Sequence, residues 1–321
     1  MNNSVHVVFG AGALGAAVVN ELVMQGEHVK LVSRSGNGNT AVPPNVETIA
    51  CDAANQIKVA EICQDAKVVY NCIGLPYNQW NEFPTIMKGL LNGVGQTNAT
   101  FVYADNLYAY GPVQGDIKES NPYKPIGTKT KIRADLAEMV TSAHKHGKIK
   151  AVIGRSADFF GPGVTSSILG TQVFEHLIQN KPVDILGSID VPHTVTYIKD
   201  VAKALILLGR TEEALGESWH LPTLQTRTMR ELIHIASDYL NIEVKYRIAN
   251  RFLIHVLSLF NANMKEYKEI FYQFNKPFVM NDDKFKSAFQ MELTPLQEAI
   301  KDTINWYIQE EKNKPLHVVQ I

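Results

Sequence analysis

Apolar and polar positions follow two rhythms along the first half of the chain. Short apolar-rich runs at Val5–Phe9, His28–Val32, Val46–Ala50, Lys67–Ile73, Thr100–Ala104 and Ala151–Arg155 carry many β-branched residues. Runs of this length suit strands buried in a parallel sheet. Between them lie longer stretches, 13–25, 53–64, 79–93 and 128–146, with apolar residues spaced three and four apart, as on the buried face of a helix. The first places Leu14, Val18, Leu22 and Val23 on one stripe and stops at Gly26; the last closes at Gly147. Pro84 sits in the third as an early-turn residue or a kink. The alternation predicts an α/β fold, a Rossmann-type doubly wound parallel sheet with ligands at the carboxyl ends of its strands.

The rhythm changes after about residue 222. Thr228-Met229-Arg230-Glu231 is a capping box opening a helix to Leu240, and Thr294-Pro295-Leu296-Gln297 starts another. Asp200 reads as the N-cap of a helix over 201–208. The stretch from Arg251 to Phe274, rich in Phe, Leu, Tyr and Met, suits one wall of a pocket between lobes or the core of the second lobe. Residues 1–222 are therefore expected to form the nucleotide-binding domain, with parts of a substrate lobe inserted after about residue 160. Residues 223–321 would complete a smaller, mostly helical lobe.

The first strand–helix junction carries chemistry. Gly10-Ala11-Gly12-Ala13-Leu14-Gly15 has the G-x-G-x-x-G spacing. Its glycines permit a tight turn, backbone approach to a pyrophosphate and close helix packing, and the helix N-terminus favours an anion. A glycine turn that binds nothing has the same spacing, but the strand at His28–Val32 completes the βαβ unit. The residues after that strand are Ser33-Arg34-Ser35-Gly36, with no carboxylate for a ribose 2′-hydroxyl. Arg34 would pair with a 2′-phosphate, so NADP is preferred over NAD, and the missing acid also counts against S-adenosylmethionine. The alternative is a solvated loop arginine. The loop 35–44, rich in Gly, Asn and Pro, would order over the adenosine end of the cofactor.

Composition narrows the classes. The chain has 321 residues and a formal net charge of −1 with both signs interspersed, which argues against a nucleic-acid or polybasic membrane surface. Its three cysteines, Cys51, Cys63 and Cys72, match no metal or disulfide framework, and the histidines lack metal-ligand spacing. A reducing cytoplasmic compartment is expected. The first strand begins too early to leave room for a signal peptide. The longest apolar runs are too short to span a bilayer. No G-x-S-x-G elbow supports a hydrolase.

Several segments together resemble the short-chain dehydrogenase/reductase superfamily, in its extended, atypical branch of NAD-dependent epimerase/dehydratase-like proteins. Cys51-Asp52 resembles the family's adenine-contacting Asp, and Asn71-Cys72-Ile73-Gly74 its strand end under the adenosine. Tyr108-Ala109-Tyr110-Gly111-Pro112 resembles the YGP segment beside the active site. The run Arg155 to Gly163, with Ser156, resembles the segment near the nicotinamide, and Thr196 to Ala202 the yVdDva segment. The resemblance covers about residues 5–222. It implies cofactor contacts from Ser33, Arg34, Asp52, Cys72, Ile73, Gly74 and Ser156 besides the glycine turn.

The departures bear on activity. The family's reactive pair is a Tyr four residues before a Lys on the long helix. Lys131 fills the lysine role and would also contact the cofactor, but the Tyr slot is then Gly127; Lys129 is the competing choice and puts Pro125 there. Lys131 also reads as a surface lysine paired with Asp135. The family's usual Ser falls at Asn106, whose amide orients a carbonyl without acting as an acid. Tyr108 is the candidate substitute acid, or else a packed aromatic; Tyr110 suits the core. At His193, nucleotide-sugar members tend to carry an Arg, which weakens the case for a sugar diphosphate. The expectation is an NAD(P)-dependent oxidoreductase or epimerase-like enzyme for a small carbonyl or hydroxyl compound. The alternative is a non-catalytic NADP-binding sensor or scaffold. Family habit also implies a homodimer through the helix 128–146.

Overall fold

The computed structural model describes residues 5–38, 41–249 and 268–314. Its strands are β1 (Val5–Phe9), β2 (His28–Ser33), β3 (Glu47–Ala50), β4 (Ala66–Asn71), β5 (Thr100–Asp105), β6 (Lys150–Arg155), β7 (Asp158–Phe160), β8 (Val183–Leu186), β9 (Pro192–His193), β10 (Val195–Tyr197), β11 (Ser218–His220), β12 (Arg227–Thr228) and β13 (Tyr246–Ala249). The helices are α1 (Ala13–Met24), α2 (Gln56–Cys63), α3 (Phe83–Val94), α4 (Thr128–Lys145), α5 (Thr171–Ile178), α6 (Ile198–Arg210), α7 (Met229–Leu240), α8 (Asp283–Ala288) and α9 (Leu296–Asn313).

Seven strands make the central sheet, in the order β11-β6-β5-β4-β1-β2-β3, and all its pairings are parallel. Side chains alternate across it, as the period of a strand requires. Val7 and Phe9 of β1 pack with Val59 of α2, Leu90 of α3 and Leu136 of α4. Val8 points to the other face, with Val18 and Leu22 of α1 and Leu205 of α6. This is the doubly wound fold read from the sequence. Strand order reverses between β1 and β4, whose carboxyl ends deliver Gly10 and Cys72 to one crevice, where such sheets bind ligands.

A separate core joins Phe160, Phe174, Ile185 and Tyr197 to Ile233, Ile300 and Ile304. The segment 278–281 links this lobe to the connection between β5 and α4. The Ile117 N–H donates to the Val279 carbonyl at 2.7 Å and the Thr194 N–H to the Phe278 carbonyl at 2.9 Å.

Several boundaries differ from the sequence reading. α2 begins at Gln56 rather than Ala53, because Asp52 accepts from the Ala54 N–H and Asn55 caps the helix through the Lys58 N–H. A 3₁₀ turn, Tyr77–Glu82, precedes α3, with Pro84 in its first turn. α6 begins at Ile198, so Asp200 lies inside its first turn and is not the cap. Its carboxylate instead accepts from the Thr294 N–H at 3.0 Å and hydroxyl at 2.9 Å, joining α6 to the start of α9. The capping box at Thr228 and Glu231 is present in both directions. The short strand β11 was not visible in the sequence. Of the aromatic-rich stretch 251–274, residues 251–267 lie outside the described residues, while Phe271 and Phe274 are buried. In the 35–44 loop, residues 39 and 40 lie outside them too. No described helix is long and apolar enough to cross a membrane.

Candidate functional site

The glycines of the turn divide into two kinds. Gly10 has φ +107°, and a Cβ there would lie 2.6 Å from the Cys72 carbonyl oxygen. At Gly15 a Cβ would lie 1.8 Å from the Gly10 carbonyl oxygen. Both are demanded by the fold itself. At Gly12, by contrast, a Cβ would meet nothing within 4 Å. The first intrahelical bond of α1 runs from the Ala16 N–H to the Gly12 carbonyl, and no side chain caps the helix. The N–H groups of Ala13, Leu14 and Gly15 therefore remain for an anion. Leu14 itself packs in the core, so it can offer only its backbone; Ala11 and Ala13 are half-buried.

At the ends of β2 to β4 the sequence-predicted residues converge on the same crevice. The Ser33 hydroxyl donates to the Asn37 carbonyl at 2.9 Å. Arg34 is exposed, with Nη1 3.6 Å from the Glu82 carboxylate. Asp52 is exposed. The Asn71 side chain accepts from the Ile73 N–H, shaping the turn toward Gly74, where a Cβ would meet nothing within 4 Å. Cys72 is buried, its N–H on the Phe9 carbonyl, and burial pushes its thiol up to about 12, so it is no nucleophile.

At the other end Asn106 is half-buried and accepts from the Tyr108 N–H at 3.0 Å. Behind it Asp105 is fully buried between Arg155, at 3.2 Å, and Arg133, at 3.5 Å. Arg155 also donates to Tyr123, and Tyr110 is hydrogen-bonded to His220, so both tyrosines belong to the structural core. Ser156 is buried, its N–H donated to the Asp105 carbonyl. It holds β6 to β5 and, being 2% exposed, presents almost no surface to a ligand. Tyr108 is buried beside Trp80 and its hydroxyl lies 3.0 Å from that of Tyr77. Burial first, then Tyr77 and Asp158, hold its phenol well above the ordinary range.

Of the two candidate lysines the fold buries Lys129 and leaves Lys131 at the surface. That side chain is 66% exposed and pairs with Asp135 at 2.7 Å on the outer face of α4. Lys129 is buried, 3.9 Å from the Glu269 carboxylate, with its ammonium 5.5 Å from the Tyr77 ring centroid. Helical periodicity explains the difference. Ile132, Arg133, Leu136 and Val140 form the buried stripe of α4, and Lys129 lies on it, one turn before Ile132 and Arg133. That stripe could have decided between the two lysines from the sequence. Opposite it Lys131, Glu138, Thr141, Ser142 and Lys145 are exposed.

Glu269 was missed altogether. It accepts from the Thr130 N–H at 2.9 Å, so it caps α4 from the far end of the chain. A Cβ at Gly127 would lie 2.4 Å from its Cδ. The space left by the missing tyrosine in that register thus holds a carboxylate. Pairing of His193 with Asp158, at 2.8 Å, was also invisible, since 35 residues separate them. Both line a cavity of about 110 Å³ together with Tyr77, Tyr108, Ser167 and Phe274. Among the described residues no three His, Cys, Asp or Glu side chains are placed to hold a metal.

Residues 6–221 match the family described as NAD dependent epimerase/dehydratase. A UDP-glucose 4-epimerase from Lactobacillus helveticus is 26% identical over 189 residues, 54% of this chain and 57% of that protein. The chain spans about half the length of the curated relatives it matches. Among solved structures, a UDP-N-acetylglucosamine 4-epimerase from Methanobrevibacter ruminantium in complex with UDP-N-acetylmuramic acid superposes with a TM-score of 0.80. It is 18% identical and covers 97% of this chain and 100% of that one. A dTDP-glucose 4,6-dehydratase from Bacillus anthracis in complex with NAD gives 0.79 at 14% identity, over 96% and 98%. At these identities the likeness is one of fold.

Proposed function

The chain belongs to the NAD dependent epimerase/dehydratase family, and from that premise we propose that it is an NADP-preferring oxidoreductase or epimerase-like enzyme for a small carbonyl or hydroxyl compound. The observation that carries this is the open backbone at Gly12 and the uncapped N-terminus of α1, in the crevice formed by the ends of β1 and β4. These groups fit a pyrophosphate. Arg34 supplies a cation for a 2′-phosphate, at the expense of its contact with Glu82. A nicotinamide cofactor bound there supplies or accepts a hydride.

The chain's own residues then orient the substrate and handle the proton. Burial keeps Tyr108 protonated, which suits it as the acid when a carbonyl is reduced. Tyr77, half-buried and in hydrogen-bond contact, passes its own proton to the Tyr108 phenolate and is reprotonated from solvent. Asn106 fixes the Tyr108 backbone. The ribose contact expected of Lys131 passes in this reading to Lys129, the buried lysine. Three free, buried thiols fit a reducing, cytoplasmic setting. Self-association through α4 would bring two polar faces together, Lys131, Glu138 and Lys145 on each, so a homodimer by this route would be weak and salt-sensitive.

Parallel calorimetric titration with NADPH and NADH tests the reading. NADPH should bind more tightly, and Arg34→Ala should weaken NADPH while sparing NADH. In a screen of carbonyl compounds with NADPH, Tyr108→Phe should abolish turnover without changing NADPH affinity. Turnover untouched by Tyr108→Phe would remove the proposed acid. NADPH binding with no turnover of any carbonyl would favour the sensor or scaffold alternative, which the missing tyrosine of the Tyr–Lys pair supports.

A further inference from the structure

We propose that the Asp158–His193 pair makes the cavity beside Tyr108 a site for an uncharged, monosaccharide-sized polyhydroxy or hydroxycarbonyl compound, and not for a nucleoside diphosphate sugar. The inference rests on the reading of that cavity as the reaction site.

Charge is the first ground. The described residues lining the cavity include Asp158, Asp184 and His193 but no lysine or arginine. Asp184 is already held by Arg247 at 2.6 and 2.8 Å. Both ring nitrogens of His193 face oxygens of the protein, Nε2 the Asp158 carboxylate at 2.8 Å and Nδ1 the Gln273 carbonyl at 3.2 Å. Phe274 and Phe278 flank the ring, with centroids 6.1 and 5.2 Å away. The imidazole is fixed and has no nitrogen left for a phosphate oxygen. A diphosphate brought here would lose water and meet no lysine or arginine among the described lining residues, beside an aspartate of its own sign.

The same features suit a neutral polyol. Asp158 is 21% exposed at its side chain and uses one oxygen on His193. Its other oxygen has no partner among the described residues and accepts from a substrate hydroxyl, the stronger kind of hydrogen bond because the acceptor is ionised. Ser166 and Ser188 add hydroxyls on the cavity wall, and Ile168, Met229 and Phe274 an apolar face for C–H groups. Size agrees: about 110 Å³ holds on the order of ten water-sized volumes, enough for a sugar ring.

The test is calorimetric titration of the protein, with and without saturating NADPH, by UDP, UDP-glucose and the uncharged sugars D-glucose, D-xylose and D-erythrose. At least one uncharged sugar should bind at least tenfold more tightly than UDP. Asp158→Asn should weaken that sugar about tenfold, with NADPH binding unchanged as proof of folding. UDP or UDP-glucose binding as tightly as any uncharged probe would overturn the proposal. So would absence of heat from every uncharged sugar, or a sugar affinity that Asp158→Asn leaves unaltered. If NADPH fails to bind, the proposed function falls, while the titrations without cofactor still decide this inference.

Discussion

Substituting the three glycines of the first turn one at a time separates what the fold needs from what a ligand needs. At Gly15 an added methyl sits 1.8 Å from the Gly10 carbonyl oxygen, where contacts below 3.0 Å essentially do not occur. Backbone must move by roughly 1 Å on both sides, at a cost of at least about 1–3 kcal/mol for an overpacked site. Gly10→Ala meets the Cys72 carbonyl at 2.6 Å and adds the strain of φ +107°. Gly12→Ala has no such obstacle. Its φ of −75° suits any residue. The gain of about 0.4–1 kcal/mol from a stiffer unfolded chain is offset by the loss of a favourable N-cap residue, so stability should change by less than about 1 kcal/mol. Its methyl would, however, stand where the pyrophosphate approaches. NADPH at a hundred times its Kd stabilises the native state by about 2.7 kcal/mol, a rise in melting temperature of roughly 5 °C. Melting each variant with and without NADPH reads both quantities at once. Gly15→Ala should melt early, whereas Gly12→Ala should melt like the parent and lose the NADPH shift. A full shift retained by Gly12→Ala would refute the anion site, and a Gly15→Ala protein as stable as the parent would refute the packing argument.

Two further predictions concern buried charge. Burial holds the imidazoles of His6 and His220 at about 4, against 6.5 in the unfolded chain. Below pH 6.5 the unfolded chain takes up protons that the native state refuses. Stability should be intact above that pH, fall as pH drops toward 4 and level off below; at pH 5 each histidine accounts for about 2 kcal/mol of the loss. Urea midpoints at pH 7 and pH 5 measure this, and His6→Gln should remove about half of it; a flat profile counts against the reading. For the lysines, Lys131→Ala should leave melting temperature and NADPH affinity unchanged, while Lys129→Met should weaken NADPH severalfold. The reverse pattern in the same titrations would restore Lys131 to the site.

The sheet, the glycine turn and the crevice were legible because local patterns carry them: β-branched runs, a glycine spacing and a capping box each act within a dozen residues. The choice of Lys131 over Lys129 rested on spacing alone and left out which side of α4 each residue occupies, although Ile132, Leu136 and Val140 mark the inner stripe. What stayed hidden depends on contacts between distant segments. Asp200 looked like a helix cap because the sequence shows only its neighbours; its partner is Thr294. The same holds for His193 with Asp158, and for Glu269 with Thr130. Short strands such as β11 are fixed by the sheet edge they join and have too few residues for a period of their own.

The bond between Glu269 and Thr130 bears on the order in which the molecule can be completed. The amide is in the first turn of α4, and its acceptor is made 139 residues later. While the chain is being synthesised, that N–H is left to water, although the Thr130 hydroxyl can already accept from the N–H groups of Ile126 and Gly127. The half that carries the central sheet therefore emerges with this helix end unfinished, and a later segment completes it. Hydrogen exchange at the Thr130 amide of a chain ending before Lys268 should be fast, and slow in the full chain; equal protection in both would show that the helix end matures alone.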